Sequence, residues 1–115
     1  MSDCIFCRIA KKDVPAAIVF EDDQLLAFKD IFPQAPVHLL VIPKVHAPSL
    51  SELTPEGEAA VARIPAVAAR LAAEHGIATD GWRLIANTGA HGGQTVFHVH
   101  FHLLGGKPLG GKLCQ

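Results

Sequence analysis

A chain of 115 residues is too short for two cores, since one hydrophobic core usually closes at roughly 100 to 150 residues, so a single domain spanning residues 1–115 is expected. Half of the residues are hydrophobic and 18% are charged, which excludes a disordered chain, and no apolar run approaches the roughly 20 residues that a membrane span needs. Lysine plus arginine number 10 against 11 acids, so with a net charge of −1 and no basic cluster, charge alone draws the chain to neither nucleic acid nor a membrane surface. Small ligands and protein partners remain. Met1-Ser2-Asp3-Cys4 carries neither a basic stretch followed by an apolar one nor an arginine-rich amphipathic pattern, so no targeting segment is expected and the expected location is cytoplasmic. The three cysteines fit a reducing compartment better than a disulfide framework.

In chain order, Cys4 to Lys12 predicts a short helical turn, and Ile18-Val19-Phe20 predicts a strand that turns at Glu21-Asp22-Asp23. The return strand of this hairpin is expected over Leu25 to Ile31, and Pro33 and Pro36 cannot continue it. His38-Leu39-Leu40-Val41-Ile42 is almost wholly apolar and closed by Pro43, which predicts a central strand covered on both faces. Thr54 can cap a helix and Pro55 suits its first position, while Ala60, Ile64, Val67 and Leu71 recur at helical spacing with Arg63 and Arg70 elsewhere on the wheel. The principal helix therefore runs to about His75 and stops at Gly76, and Pro65 within it should kink or split it at a cost of about 3 kcal/mol. Trp82 to Asn87 predicts a strand, Thr88 to Gly93 a glycine-rich loop, and Gln94 to Leu104 a long strand ended by Gly105-Gly106. The fold class is α+β, with five strands, a mainly antiparallel sheet and one principal helix.

Seven histidines are unusual for this length, and three fall within five positions. In His98-Val99-His100-Phe101-His102, strand alternation sends His98, His100 and His102 to one face and Phe97, Val99, Phe101 and Leu103 into the core. At about 3.3 Å per residue the outer two histidines lie roughly 13 Å apart, too far to ligate one metal readily, and each is about 6 to 7 Å from His100. That spacing suits a reacting centre at His100 with neighbours that bind charge or move protons. A cupin-like metal site would want a glutamate shortly downstream, and no acidic residue follows His102. Gly89, Gly92 and Gly93 permit backbone turns whose N–H groups converge on an anion, and Gln94 and Thr95 add side-chain donors where that loop enters the strand. Cys4-x-x-Cys7 can bind zinc, take part in redox exchange or simply pack. His75 and His91 read as surface residues and Cys114 as a free tail thiol.

The run His98 to Leu104 resembles the histidine triad motif of the HIT superfamily of nucleotide hydrolases and transferases. The resemblance extends through Cys4-Ile5-Phe6-Cys7, Phe28-Lys29-Asp30-Ile31, Pro33-Gln34-Ala35-Pro36, His38 to Pro43, Asn87-Thr88 and Gly92-Gly93-Gln94-Thr95, and Leu103-Leu104-Gly105-Gly106 is similar to the Hint branch, the purine nucleoside phosphoramidases. It implies a homodimer whose five-stranded sheets join across the interface, and release of AMP from adenosine 5′-phosphoramidates or aminoacyl adenylates. By the same resemblance His100 is the nucleophile on the α-phosphorus, and His102 and His38 support it and the phosphate. Asn87, Gly93, Gln94 and Thr95 then meet phosphate or leaving group, Asp30 receives the ribose hydroxyls, and Ile5, Phe6, Ile9, Phe28 and Ile31 form the base pocket. His46 and His98 complete with Cys4 and Cys7 a set resembling the structural zinc site of some HIT proteins, and the chemistry itself needs no cofactor. A Fhit-like dinucleoside polyphosphate hydrolase and a nucleotide-binding scaffold are the alternative readings.

Overall fold

The computed structural model describes residues 3–113, so Met1, Ser2, Gln115 and the tail thiol of Cys114 lie outside the described residues. Cys4 caps the first helix, α1 (Ile5–Ala10), its Sγ accepting the Cys7 N–H at 3.3 Å. β1 (Ile18–Glu21) and β2 (Leu25–Lys29) form the expected hairpin, whose turn is closed by Asp22 Oδ1 accepting the N–H groups of Gln24 and Leu25, both at 2.9 Å. β2 stops at Lys29, short of the predicted Ile31, because the Asp30 side chain takes the Phe32 N–H into a local turn. β3 (Val37–Pro43) is the central strand.

The principal helix is split in two, as Pro65 requires. α2 (Pro55–Ala62) begins behind Thr54, whose Oγ1 accepts the Gly57 N–H at 3.1 Å, and α3 (Ile64–Glu74) restarts after Arg63. Pro65 thereby falls in the first turn of α3, where its missing N–H would be unsatisfied in any case, so the interior penalty is avoided. β4 (Trp82–Ala86) and β5 (Phe101–Gly105) complete one antiparallel sheet in the order β1-β2-β3-β5-β4. No helix among the described residues is long and apolar enough to cross a membrane.

Alternation along the strands divides the sheet into two faces. Leu25, Ala27, Leu39, Val41 and Leu103 pack under the buried stripe Ala60, Ile64, Val67, Ala68 and Leu71 of the two helices. Leu26, Phe28, Leu40 and Ile42 face the other way, against Phe6 and Ile9 of α1. His38 and His102 share this second face, because each alternates with a residue of the helix-side core.

The predicted strand over Gln94 to Leu104 is corrected: only its last part is ladder, and residues 94–100 are irregular with a bend at 96–98. The β3–β5 ladder begins at Val41↔Phe101, and upstream of Phe101 the chain is held differently, with the Val99 N–H donating to Ala47 O at 2.7 Å. Pairing cannot extend because Pro43 has no N–H to give and its carbonyl is taken by the His98 ring. The bend also overturns one core assignment: Val99 and Leu103 are buried and Phe101 is half-buried, but Phe97 is 56% exposed.

On the helix side, Arg63 donates to Asp22 Oδ2 at 2.6 Å and to Gln24 Oε1 at 2.9 Å, tying the helix junction to the hairpin turn. The guanidinium holds the Asp22 carboxyl far below the usual carboxylate range. A depressed native pKa means that the unfolded chain protonates first, so this stabilisation is complete above about pH 4 and is lost as pH falls below it. Asp22→Asn keeps the oxygen that accepts Gln24 and Leu25 but not the charge. It should cost about 0.5 to 1 kcal/mol in urea unfolding at pH 7, the half-exposed setting limiting the effect, and the gap from wild type should close on acidification.

Candidate active site

On the sheet face opposite α2 and α3 lies a cleft of about 390 Å³. It brings together nine of the sequence-predicted residues: Ile5, Phe6, Ile9, Phe28, Asp30, Ile31, Thr95, His100 and His102. Its walls come from α1, the end of β2 and the segment before β5, and its apolar end is built on an edge-to-face pair of Phe6 and Phe28 with ring centroids 5.6 Å apart. Phe6 also meets the His100 ring edge-on at 5.1 Å, so the base of the cleft and its reactive end are packed as one unit.

Backbone groups assign the histidine tautomers. His100 Nδ1 lies 2.8 Å from the His98 carbonyl, which can only accept, so the neutral ring carries its proton on Nδ1 and its lone pair on Nε2. The Gln34 N–H can only donate, to His38 Nδ1 at 3.0 Å, so neutral His38 is protonated at Nε2. That Nε2–H meets His102 Nδ1 at 2.9 Å and passes near Asp30 Oδ2 at 3.4 Å, which leaves the His102 proton on Nε2 as a donor. Burial lowers the His38 pKa although Asp30 opposes it. Burial, with the neighbouring His100 and His38, lowers that of His102 to about 4. The cleft therefore holds a buried imidazole whose neutral tautomer leaves the Nε2 lone pair available at His100, 5.1 Å between ring centroids from an imidazole donor at His102.

His38 thus stands behind His102 and does not line the cleft. Asn87, Gly93 and Gln94 frame the glycine loop instead. Asn87 Nδ2 donates to Gly92 O at 2.7 Å, and the Gln94 side chain accepts the Gly89 N–H while donating to the Pro48 and Val96 carbonyls. Gly92 is required at its position, since a Cβ there would lie 2.2 Å from Thr88 O. The expected convergence of loop amides is not formed by Gly89 and Gly93, whose N–H groups go to Gln94 Oε1 and Ala90 O. The sequence gives no site role to Val14, Pro15, Ala16, Lys29, Phe32, Leu40 or Val96 of the lining. Only Phe32 carried a signal, as an aromatic two positions beyond Asp30. His91 is exposed as expected, whereas His75 is half-buried at the end of α3, its Nδ1 2.9 Å from Leu71 O.

A second cluster lies beside the first. Cys4 Sγ is 3.3 Å from His98 Nδ1, Cys7 Sγ is 3.3 Å from His46 Nδ1 and 3.5 Å from His98 Nδ1, and the two Nδ1 atoms are 3.2 Å apart. Tetrahedral ligands with metal bonds of about 2.0 to 2.3 Å are separated by roughly 3.3 to 3.8 Å, so two cysteine sulfurs and two imidazole nitrogens stand here at metal-ligand spacing. The donor chemistry agrees: the Pro43 carbonyl, 2.8 Å from His98 Nε2, holds the proton on that atom and leaves Nδ1 unprotonated. Burial lowers the His98 pKa to about 4, keeping the ring neutral as a ligand must be. Asp30, His38 and His102 are grouped as closely, yet a metal on His38 Nε2 would push the proton to Nδ1, against the Gln34 N–H. The first set fits a metal ion and the second does not.

A model of the HIT domain matches residues 11–109. The chain is 50% identical over 113 residues to the purine nucleoside phosphoramidase of Escherichia coli strain K12, covering 98% of this chain and 95% of that protein. Among solved structures, a histidine triad protein from Clostridium difficile superposes with a TM-score of 0.92 at 43% identity, covering 98% of both chains. A HIT family hydrolase from Legionella pneumophila Philadelphia 1 gives 0.90 at 44% identity, over 95% of this chain and 97% of that one. The histidines of and before β5, the cleft beside them and these likenesses over nearly the whole length agree, and the chain belongs to the HIT family of hydrolases.

Proposed function

We propose that this protein is a purine nucleoside phosphoramidase, which cleaves the P–N bond of adenosine 5′-phosphoramidates, or the corresponding anhydride of aminoacyl adenylates, to release AMP. The observation that carries the reading is the His100 tautomer: with Nδ1–H fixed on the His98 carbonyl, Nε2 is an unprotonated nucleophile in the cleft. Attack of Nε2 on the α-phosphorus forms an N–P bond as the P–N bond to the leaving group breaks, and the departing nitrogen, hydrogen-bonded by the His102 Nε2–H, takes up a proton from solvent while His102 stays neutral. Water then attacks the nucleotidyl-histidine, its oxygen bonds to phosphorus as the N–P bond to His100 breaks, its proton returns to solvent, and AMP leaves. Thr95 and the His102 donor face the charge developing on the phosphoryl oxygens, while Asn87, Gly93 and Gln94 set the loop beside them. Asp30 takes the ribose hydroxyls, and Ile5, Phe6, Ile9, Phe28 and Ile31 take the base. Assay of AMP release from adenosine 5′-phosphoramidate against diadenosine polyphosphate tests this: turnover of the first should dominate, and exclusive turnover of the second would replace it with the dinucleotide hydrolase reading.

The domain acts as a homodimer in the cytoplasm, and the ion held by Cys4, Cys7, His46 and His98 is a structural zinc. Dimerisation is supported by β4, an edge strand whose five residues are all half-buried, since pairing with a second copy would cover that edge. Sedimentation at micromolar concentration should give about twice the 12.2 kDa chain mass, and a stable active monomer would count against it.

A further inference from the structure

Phe32 is 75% exposed, yet it lines the cleft that ends at His100 and His102. Single exposed apolar residues are ordinary on protein surfaces. This one is held where a mobile loop residue would not be. Its N–H donates to Asp30 Oδ1 at 2.8 Å, its carbonyl accepts Gln34 Nε2 at 3.2 Å, and Pro33 restricts its backbone to extended conformations. Both backbone groups of Phe32 are thus tied, and the residue is held at the cleft with little further backbone ordering needed. Exposure also means that the ring contributes little to the core.

We propose that Phe32 is a specificity-determining residue, the outer wall of the base pocket, which stacks on the purine of the bound nucleotide. The inference rests on the nucleotide reading of the cleft. With the phosphate at His100 and the ribose at Asp30, the base lies over the apolar end at Phe6, Phe28 and Ile9, which is otherwise open to solvent at its mouth. Phe32 is two residues from the ribose carboxylate, within reach of a base attached to that ribose, and an aromatic ring there covers the π-face that the pocket leaves wet. Its contribution should scale with the area of the base: largest for a purine, smaller for a pyrimidine, absent for a sugar phosphate without a base.

The test is calorimetric binding of AMP, CMP and ribose 5-phosphate to the full-length protein and to Phe32→Ala, Phe32→Tyr and Phe32→Leu. Phe32→Ala should weaken AMP about tenfold, CMP less, and ribose 5-phosphate within about twofold of wild type, with Phe32→Tyr near wild type for all three and Phe32→Leu between. In turnover the same loss should appear in KM, with kcat little changed. Equal weakening of AMP and ribose 5-phosphate would overturn the proposal, since that is the signature of a displaced Asp30 turn. Unchanged AMP affinity, or altered sedimentation with unchanged AMP affinity, would overturn it as well. Wild-type protein that fails to bind AMP would overturn both this inference and the nucleotide reading, whereas AMP binding with the predicted Phe32 pattern but no phosphoramidate turnover would sink the reaction alone and leave the stacking role standing.

Discussion

His100→Ala should lower turnover by about 10⁴-fold or more while leaving the fold and AMP binding nearly intact. In the proposed reaction the lost imidazole forms its bond to phosphorus only during turnover, so the bound nucleotide would lose one contact and the transition state the nucleophile itself. The structure limits the collateral damage. His100 is 5% exposed and packs edge-on against Phe6, so truncation opens a small hole beside α1 worth about 1 to 2 kcal/mol, which thermal unfolding would read as a modest decrease in Tm. Acid-quenched wild-type enzyme should carry a nucleotidyl group on His100 and the variant none. A variant that kept near-wild-type turnover, or a nucleotidyl group found on His102, would remove His100 from the role. His38→Ala should behave differently: it takes away the donor that keeps the His102 proton on Nε2, so the nucleophile survives and leaving-group departure slows.

Removing the metal set should cost stability first and activity second. Cys4→Ser with Cys7→Ser, or chelation of the wild type, should lower Tm by about 10 °C or more, corresponding to roughly 2 to 3 kcal/mol in a domain of this size. Four protein donors would close a tetrahedral ion and leave no position for water or substrate, so the proposed ion would join α1 to the residues before β5. The coupling to chemistry would be indirect and specific: His98 would supply a ligand through Nδ1, and its carbonyl accepts from His100 Nδ1. Loosening His98 should reduce kcat/KM about tenfold without abolishing it, because His100 needs no metal to attack phosphorus. Elemental analysis should find one zinc per chain. Protein purified without metal, yet as stable as the metal-loaded form, would end the structural assignment, and loss of all activity on chelation with Tm unchanged would make the ion catalytic.

Much of the architecture was legible in the residues because periodicity is a local property. The apolar run at Leu39 to Ile42 specified a strand covered on both faces, the spacing of Ala60, Ile64, Val67 and Leu71 specified the helical stripe, and Pro65 specified the break between α2 and α3. The side chains of the site were equally visible, since histidine, cysteine and aspartate are the types that such chemistry requires. Their roles came only from the family resemblance, because the residue types alone do not place the protons. What sets the tautomers behind the proposed roles of His100, His98 and His102 is a carbonyl or an N–H of His98, Pro43 and Gln34, and nearly every backbone unit of a sequence carries the same groups. The early end of the β5 ladder was hidden for the same reason, alternation continuing through Phe97 after the pairing had stopped, so that one ring expected in the core stands in solvent. Residues 94 apart in the chain, Cys4 and His98, meet only because α1 folds onto the sheet face opposite α2 and α3. Sequence determined which groups were available and which faces would be buried; the tertiary structure decided where the protons sit, because only folding sets one part of the backbone against the side chains of another.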